Sequence, residues 1–303
     1  MARDTSSGSM TLYGSLREEA LELTRDGHFE AAVKVLDKAL DTAREIGCEI
    51  LIGLATVNRA RVAIELAPST ELVKQLGQLL LQSSDPETKV RTALSLARAY
   101  HLRKDTKKSL FYGRIARQHA EGLDQPEFVA MAHNEIGLSF LAASYFSEAV
   151  EEFEQALALL AEGGSQRRAP ILDNLGYCYI ILGRRKDGFE ALFESLRCLR
   201  RLDQAWAAMN TMISLSFAHL EHGRPRSAIR HGEAALAIAD RTDDPAAVKS
   251  SLFLLGEATK QAGDDASARH FFDRLQEKFY PEAPYLAEML MLIDARTMVN
   301  LKA

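Results

Sequence analysis

The stretch NEIGLSFLAASYFSEAVEEFEQA, residues 134–156, decides the fold. Its first part carries Ile136-Gly137-x-x-Phe140, an aliphatic and a small residue followed by an aromatic one a turn later. The phrase returns as Leu175-Gly176-x-x-Tyr179, Leu215-Ser216-x-x-His219 and Leu255-Gly256-x-x-Thr259, and stands upstream as Leu96-Ala97-x-x-Tyr100. The second members follow one another at steps of 40, 39, 40 and 40 residues. Self-similarity at such a period marks a solenoid of stacked helical hairpins, in which each unit contacts only its neighbours. A chain of this kind holds something along an extended surface rather than closing around one pocket.

The second part of the stretch reads small-x-x-x-large-x-x-small: Ala149, Phe153 and Ala156. The spacing puts all three on one helical face. Ala32, Leu36 and Ala39 repeat it near the start, and Ala268, Phe272 and Leu275 near the end. Small residues let neighbouring helices approach, and the large one fills the gap between hairpins. A glycine inside a helix costs about 1 kcal/mol relative to alanine, so its recurrence at Gly137 and Gly176 marks close helix crossing.

Helix breakers divide the chain into pairs. The predicted hairpins are 11–26/29–46, 50–66/70–83, 87–103/106–121, 126–143/146–162, 168–182/185–202, 206–222/225–240 and 245–262/265–279. Pro68 must break the second pair, and Asp105 is placed to cap the second helix of the third. Gly163-Gly164 ends the fourth, and Gly223-Arg224-Pro225 stops one helix and starts the next. Residues 1–10 read as a flexible leader, 11–280 as the solenoid without an internal linker, and 281–303 as a capping region with a last helix over about 283–300. The methionines of that last helix, Met289, Met291 and Met298, also offer a surface for a second copy of the chain.

Hydrophobic residues make up 47% of the 303 and charged residues 26%, the balance of a folded chain rather than a disordered one. The net charge of −5 gives no global reason to bind nucleic acid or an anionic membrane. Cys48, Cys178 and Cys198 form neither a C-x-x-C nor an even set, and read as buried helix residues in a reducing compartment. No apolar run reaches membrane-spanning length and no secretory signal pattern opens the chain, so the cytoplasm is the expected location.

These features resemble the tetratricopeptide repeat (TPR) family, over about residues 11–280. Ile136-Gly137, Phe140, Phe146, Ala149, Phe153 and Ala156 stand where that family places its signature residues. Hairpin two departs from it, with Asn58 for the small residue and Arg61 for the aromatic. The step of about 40 residues looks like the extended version found in bacterial peptide-pheromone receptors and kinesin light chains. The resemblance implies an all-α, right-handed superhelical solenoid of seven hairpins plus a capping helix. It also implies that the first helix of each pair lines a concave groove. Transferred to this chain, the groove is lined by Arg59, Arg91, Arg98, His101, Met131, Asn134, Leu138, Leu141, Asp173, Tyr177, Ile180 and Phe217. Its N-terminal third, with Arg17 and Arg25 added, is basic and its middle apolar. A partner protein or peptide with apolar anchors and an acidic segment suits that pattern.

Other signals carry little chemistry. His219-Leu-Glu-His222 with His231 lacks the further ligand a zinc site wants. The basic run in hairpin five, Arg184-Arg185-Lys186 with Arg197, Arg200 and Arg201, has no aromatic interleaving for nucleic acid. No phosphate loop, nucleophile elbow or H-E-x-x-H occurs, so neither catalysis nor a cofactor is expected. The expected function is a non-catalytic scaffold that holds a partner helix or peptide. The alternatives are a peptide-responsive regulator resembling TPR pheromone receptors and an accessory subunit of an enzyme complex.

Overall fold

A computed structural model describes residues 2–160, 167–296 and 300–302, with side chains from Gly8 onward. Among the described residues it holds fifteen α-helices and no strand. They fall into two compact units, Met1–Ala161 and Glu162–Ala303. The first comprises four hairpins: α1 (Ala2–Arg25) with α2 (Phe29–Ile46), α3 (Glu49–Leu66) with α4 (Thr70–Gln82), α5 (Pro86–Leu102) with α6 (Thr106–Ala120), and α7 (Pro126–Ala142) with α8 (Phe146–Ala158). The second comprises three: α9 (Arg168–Ile181) with α10 (Arg185–Arg201), α11 (Ala205–Glu221) with α12 (Pro225–Thr242), and α13 (Pro245–Gln261) with α14 (Asp265–Phe279). A short α15 (Leu286–Leu292) follows.

The turns repeat in backbone as well as in sequence. A left-handed residue stands at Gly27, Lys104, Ser144, Gly183, Gly223 and Gly263, each just past a first helix. Glycine takes that conformation without a Cβ penalty, which explains its choice at Gly183 and Gly263. Hairpin two is the exception: Ala67 is extended before Pro68, and Ser69 caps α4 by accepting from Leu72 N at 3.2 Å. Asp85, Asp105, Asp244 and Asp264 cap α5, α6, α13 and α14 in the same way.

Within each unit the first helices pack on one another, α3 on α5 on α7 and α9 on α11 on α13. The repeated small residues let each first helix close on the second helix of its own hairpin. A β-carbon at Gly137 would lie 2.6 Å from Phe153 Cε1, and one at Gly256 only 2.3 Å from Phe272 Cε1. At Gly176 it would meet the Gly188 carbonyl at 3.0 Å, a backbone atom that has no room to move. Phe153, Phe272 and every alanine of the second-helix pattern are wholly or almost wholly buried. Hydroxyls stitch the layers together where apolar packing leaves backbone acceptors. Ser109 donates to Ala97 O at 2.9 Å and lies 2.6 Å from Ser139 Oγ. In the second unit Ser195 donates to Ala169 O at 2.7 Å and Ser216 to Ala228 O at 2.9 Å.

Several expectations need correction. α1 runs back to Ala2, so residues 2–10 of the segment read as a flexible leader are helical. The last helix is not one element over 283–300; α15 has 7 residues, because Ile293 turns to an extended backbone. Gly163-Gly164, Met298 and Val299 lie outside the described residues. Of the cysteines only Cys178 is buried; Cys48 is the exposed cap residue of α3 and Cys198 is half-buried. Burial pushes the Cys178 thiol up to about 12.

His219 is interior rather than solvated. It stacks on His231 with ring centroids 5.4 Å apart and meets the Phe189 ring at a tilt, 4.9 Å away, and no described partner meets either ring nitrogen. Burial, then the neighbouring His231, Arg224, Arg230 and His222, lowers its pKa to about 4. The unfolded chain takes up this proton near pH 6.5, and the folded one only near 4. Stability therefore falls as pH drops through that window. Urea midpoints measured from pH 7 to 4 should decline more steeply for the native chain than for His219→Phe. Parallel curves would remove His219 as a cause.

Candidate functional site

The first-helix layers hold the residues the sequence nominates. In the first unit α3, α5 and α7 bring together Arg61, Glu65, Arg98, His101 and Glu135, with Asn134 next to Glu135 on α7. Arg98 forms a two-pronged pair with Glu65, Nε to Oε1 at 2.8 Å and Nη2 to Oε2 at 2.9 Å. Burial alone would raise the Glu65 carboxyl, but the charge and hydrogen bonds of Arg98 hold it below its usual value. Glu135, one residue before the Ile136-Gly137 phrase, is buried; its pKa rises, and Arg61 approaches Oε1 only to 3.9 Å. Burial, with Arg98 nearby, lowers His101 to about 4, so it is neutral at pH 7.

Several of the basic residues the sequence nominates are thus already engaged by the chain itself. Arg59 is paired with Asp37 at 2.8 Å, at a cleft of about 460 Å³ between α2, α3 and α4. Arg91 is paired with Glu87 at 2.7 Å and lies over the Phe128 ring. Arg17 lies over Tyr13. What the α5–α7 surface leaves unmet is different: His101 Nδ1, Asn134 Oδ1 and Glu135 Oε2 are buried with no described hydrogen-bond partner. A buried acceptor without a donor costs on the order of 1–3 kcal/mol. Met131, Asn134 and Leu138 are half-buried on α7, whereas Leu141 is wholly buried and packs inside the unit.

In the second unit Asp173, Tyr177, Ile180 and Phe217 come together on α9 and α11, all of them buried. Tyr177 and Phe217 have ring centroids 5.1 Å apart. Residues 300–302 lie against this surface. Leu301 N donates to the Tyr177 hydroxyl at 3.2 Å, the hydroxyl donates to Asn300 Oδ1 at 3.3 Å, and Lys302 pairs with Asp173. Upstream, Lys260 Nζ donates to Leu290 O at 2.6 Å and Ile293 O at 2.8 Å, and Arg296 pairs with Asp294 and Glu221. Sequence reasoning missed Glu65, Glu135 and this returning segment. An acid amid the apolar residues of a first helix was a readable sign for Glu135. Nothing in the local pattern marks Lys302 as a partner of Asp173, 129 residues away.

No protein-family model and no curated protein matches the chain. Solved structures do. The chain is similar to a Rap protein complexed with competence and sporulation factor, at 13% identity over 95% of this chain and 79% of that one, with a TM-score of 0.69. It is similar to BtubC (BKLC) from P. vanneervenii, at 23% identity over 76% and 93%, with a TM-score of 0.57. TPR-like repeats of a Podosopora anserina kinesin light chain match at 17% identity over 67% and 100%, with a TM-score of 0.52. Likeness at these identities carries the fold: helical hairpins of the TPR kind.

Proposed function

We propose that the chain is a non-catalytic scaffold that binds a segment of another protein, or a peptide, along the first helices of its repeats. The observation that carries this reading is the incomplete hydrogen-bond set on α5 and α7. Asn134 Oδ1 and Glu135 Oε2 lie within a helical turn of half-buried Met131 and Leu138 on α7, and His101 Nδ1 is unmet on α5. A polypeptide supplies what they lack, N–H donors together with apolar side chains. An acidic segment of the partner finds less to bind here than charge counting implies, because Arg59, Arg91 and Arg98 already hold carboxylates. The peptide-responsive reading is favoured by the likeness to the Rap structure, which is a complex with competence and sporulation factor. Self-association through α15 belongs to the same proposal, supported by Tyr285 and Leu292, 71% and 81% exposed. The free thiols suit a reducing compartment such as the cytoplasm.

A photo-crosslinking residue at Leu138 tests the surface against one at exposed Glu151 on α8. Capture of the same protein from native lysate at 138 but not at 151 is the expected result. Asn134→Leu, which removes an unmet acceptor without adding charge, should weaken that capture about tenfold while leaving the helical content intact. Capture at 151 alone, or equally at both, would place the interface elsewhere.

A further inference from the structure

Asp173 is a carboxylate on a first helix, 4% exposed, in a wall made otherwise of Tyr177, Ile180 and Phe217. Such a group is expensive to bury and is retained where something cationic meets it. Here the cation is Lys302, on one oxygen only; Asp173 Oδ1 is buried without a described partner. The neighbouring Tyr177 hydroxyl is likewise engaged by residues 300 and 301, through bonds of 3.2 and 3.3 Å at the long end of the useful range. Lys302 Nζ also lies 5.9 Å from the Tyr177 ring centroid. The contacts are those by which a groove receives a peptide in another chain: a backbone N–H on a hydroxyl, a side-chain amide on the same hydroxyl, and a lysine on a buried acid. The two bonds to the hydroxyl are long, and the acid is met on one oxygen only.

We infer that the α9–α11 surface is a binding site for a lysine-bearing peptide segment, and that residues 300–302 occupy it as an intramolecular stand-in which a partner segment displaces. The inference deepens the peptide-scaffold reading and extends it to the second unit, where the recognised chemistry is cationic rather than acidic. The stand-in is tethered. Arg296 holds Glu221 at 3.7 Å and donates to Leu220 O at 3.4 Å, and Lys260 clasps the backbone after α15. A tether of a few residues gives the occupant an effective concentration on the order of millimolar. A free segment must therefore bind the vacated site much more tightly than that to be seen with the native chain, and weakening the stand-in should expose the site.

The test uses the full chain and a fluorescein-labelled synthetic peptide, DARTMVNLKA, copying residues 294–303. With the native chain, binding should be weak. Lys302→Glu in the chain should release the stand-in and raise peptide affinity tenfold or more. The same peptide with glutamate for its lysine should not bind the opened chain. Asp173→Asn, added to Lys302→Glu, should abolish binding, whereas Asp173→Lys in a chain that keeps Lys302 should accept the glutamate peptide instead. Equal affinity of the native and Lys302→Glu chains, or no binding to either, would overturn the inference and make residues 300–302 a structural brace. Should the Asp173 variants fail to fold by circular dichroism, the lysine and glutamate peptides still decide on the Lys302→Glu chain. Crosslinking at Leu138 stands or falls separately, because it probes the first unit.

Discussion

Phe272→Ala should destabilise the second unit by about 3–5 kcal/mol, the usual cost of emptying a fully buried phenylalanine site. The ring is 0% exposed and fills the notch left by Gly256 on α13. Gly256→Ala should also destabilise. Alanine gains about 1 kcal/mol of helix propensity, but its β-carbon would stand 2.3 Å from Phe272 Cε1 and 2.7 Å from Cζ. A rigid buried ring does not yield as the end of a flexible side chain does, and overpacking of this kind costs about 1–3 kcal/mol or more. The two changes must therefore couple. In the double variant the alanine methyl enters space the ring has left, so the loss should be smaller than the sum of the single losses by about 0.5–3 kcal/mol. Urea unfolding, followed together with hydrogen exchange of the α13 amides, measures this in the unit concerned. Strict additivity would mean that the notch and the ring are independent.

Arg98→Glu should cost about 2–4 kcal/mol. Removing one member of a buried pair costs about 3–5 kcal/mol, and the remaining exposure of this one reduces the figure. Both side chains are roughly a quarter exposed. The reversal places a second carboxylate against Glu65 and leaves Glu135 without one of the cations that stabilise it. The exchange Glu65→Arg/Arg98→Glu should restore at least half of the loss. A single variant within 0.5 kcal/mol of the native chain would show the pair to be ornamental. The same geometry makes charge reversal at this position a poor probe of partner binding, because the fold loosens before any groove is tested. Asn134→Leu avoids that difficulty.

The repeat phrase, the second-helix pattern and the helix breakers together placed seven hairpins, and most of their ends lie within two residues of those observed. The reason is local. Glycine or proline at a turn, an aspartate cap and a 3.6-residue apolar period act within one or two helical turns, so they are visible in a single stretch of chain. The small residues at 137, 176 and 256 were legible for the same reason, since each faces the helix that follows it.

The site was legible only as a surface. That α5 and α7 would contribute Arg98, His101, Met131, Asn134 and Leu138 followed from the resemblance; which of them stays unmet did not. Leu141 reads like Leu138 in sequence, three residues apart, yet one is wholly buried and the other half-buried, because burial depends on the neighbouring helix.

By itself, then, the amino-acid sequence determined the repeat, the helices, their turns and the faces they bury, because those follow from contacts close along the chain. The tertiary structure alone decided which charges are available. Glu65 meets Arg98 across 33 residues, Glu135 lies near Arg61 across 74, and Lys302 meets Asp173 across 129. Ion pairs at such separations carry no periodic signature, since any acid and base that the stacked helices bring within reach will pair. They turned an expected basic groove into one of unmet acceptors, and an open surface into one that the chain itself occupies.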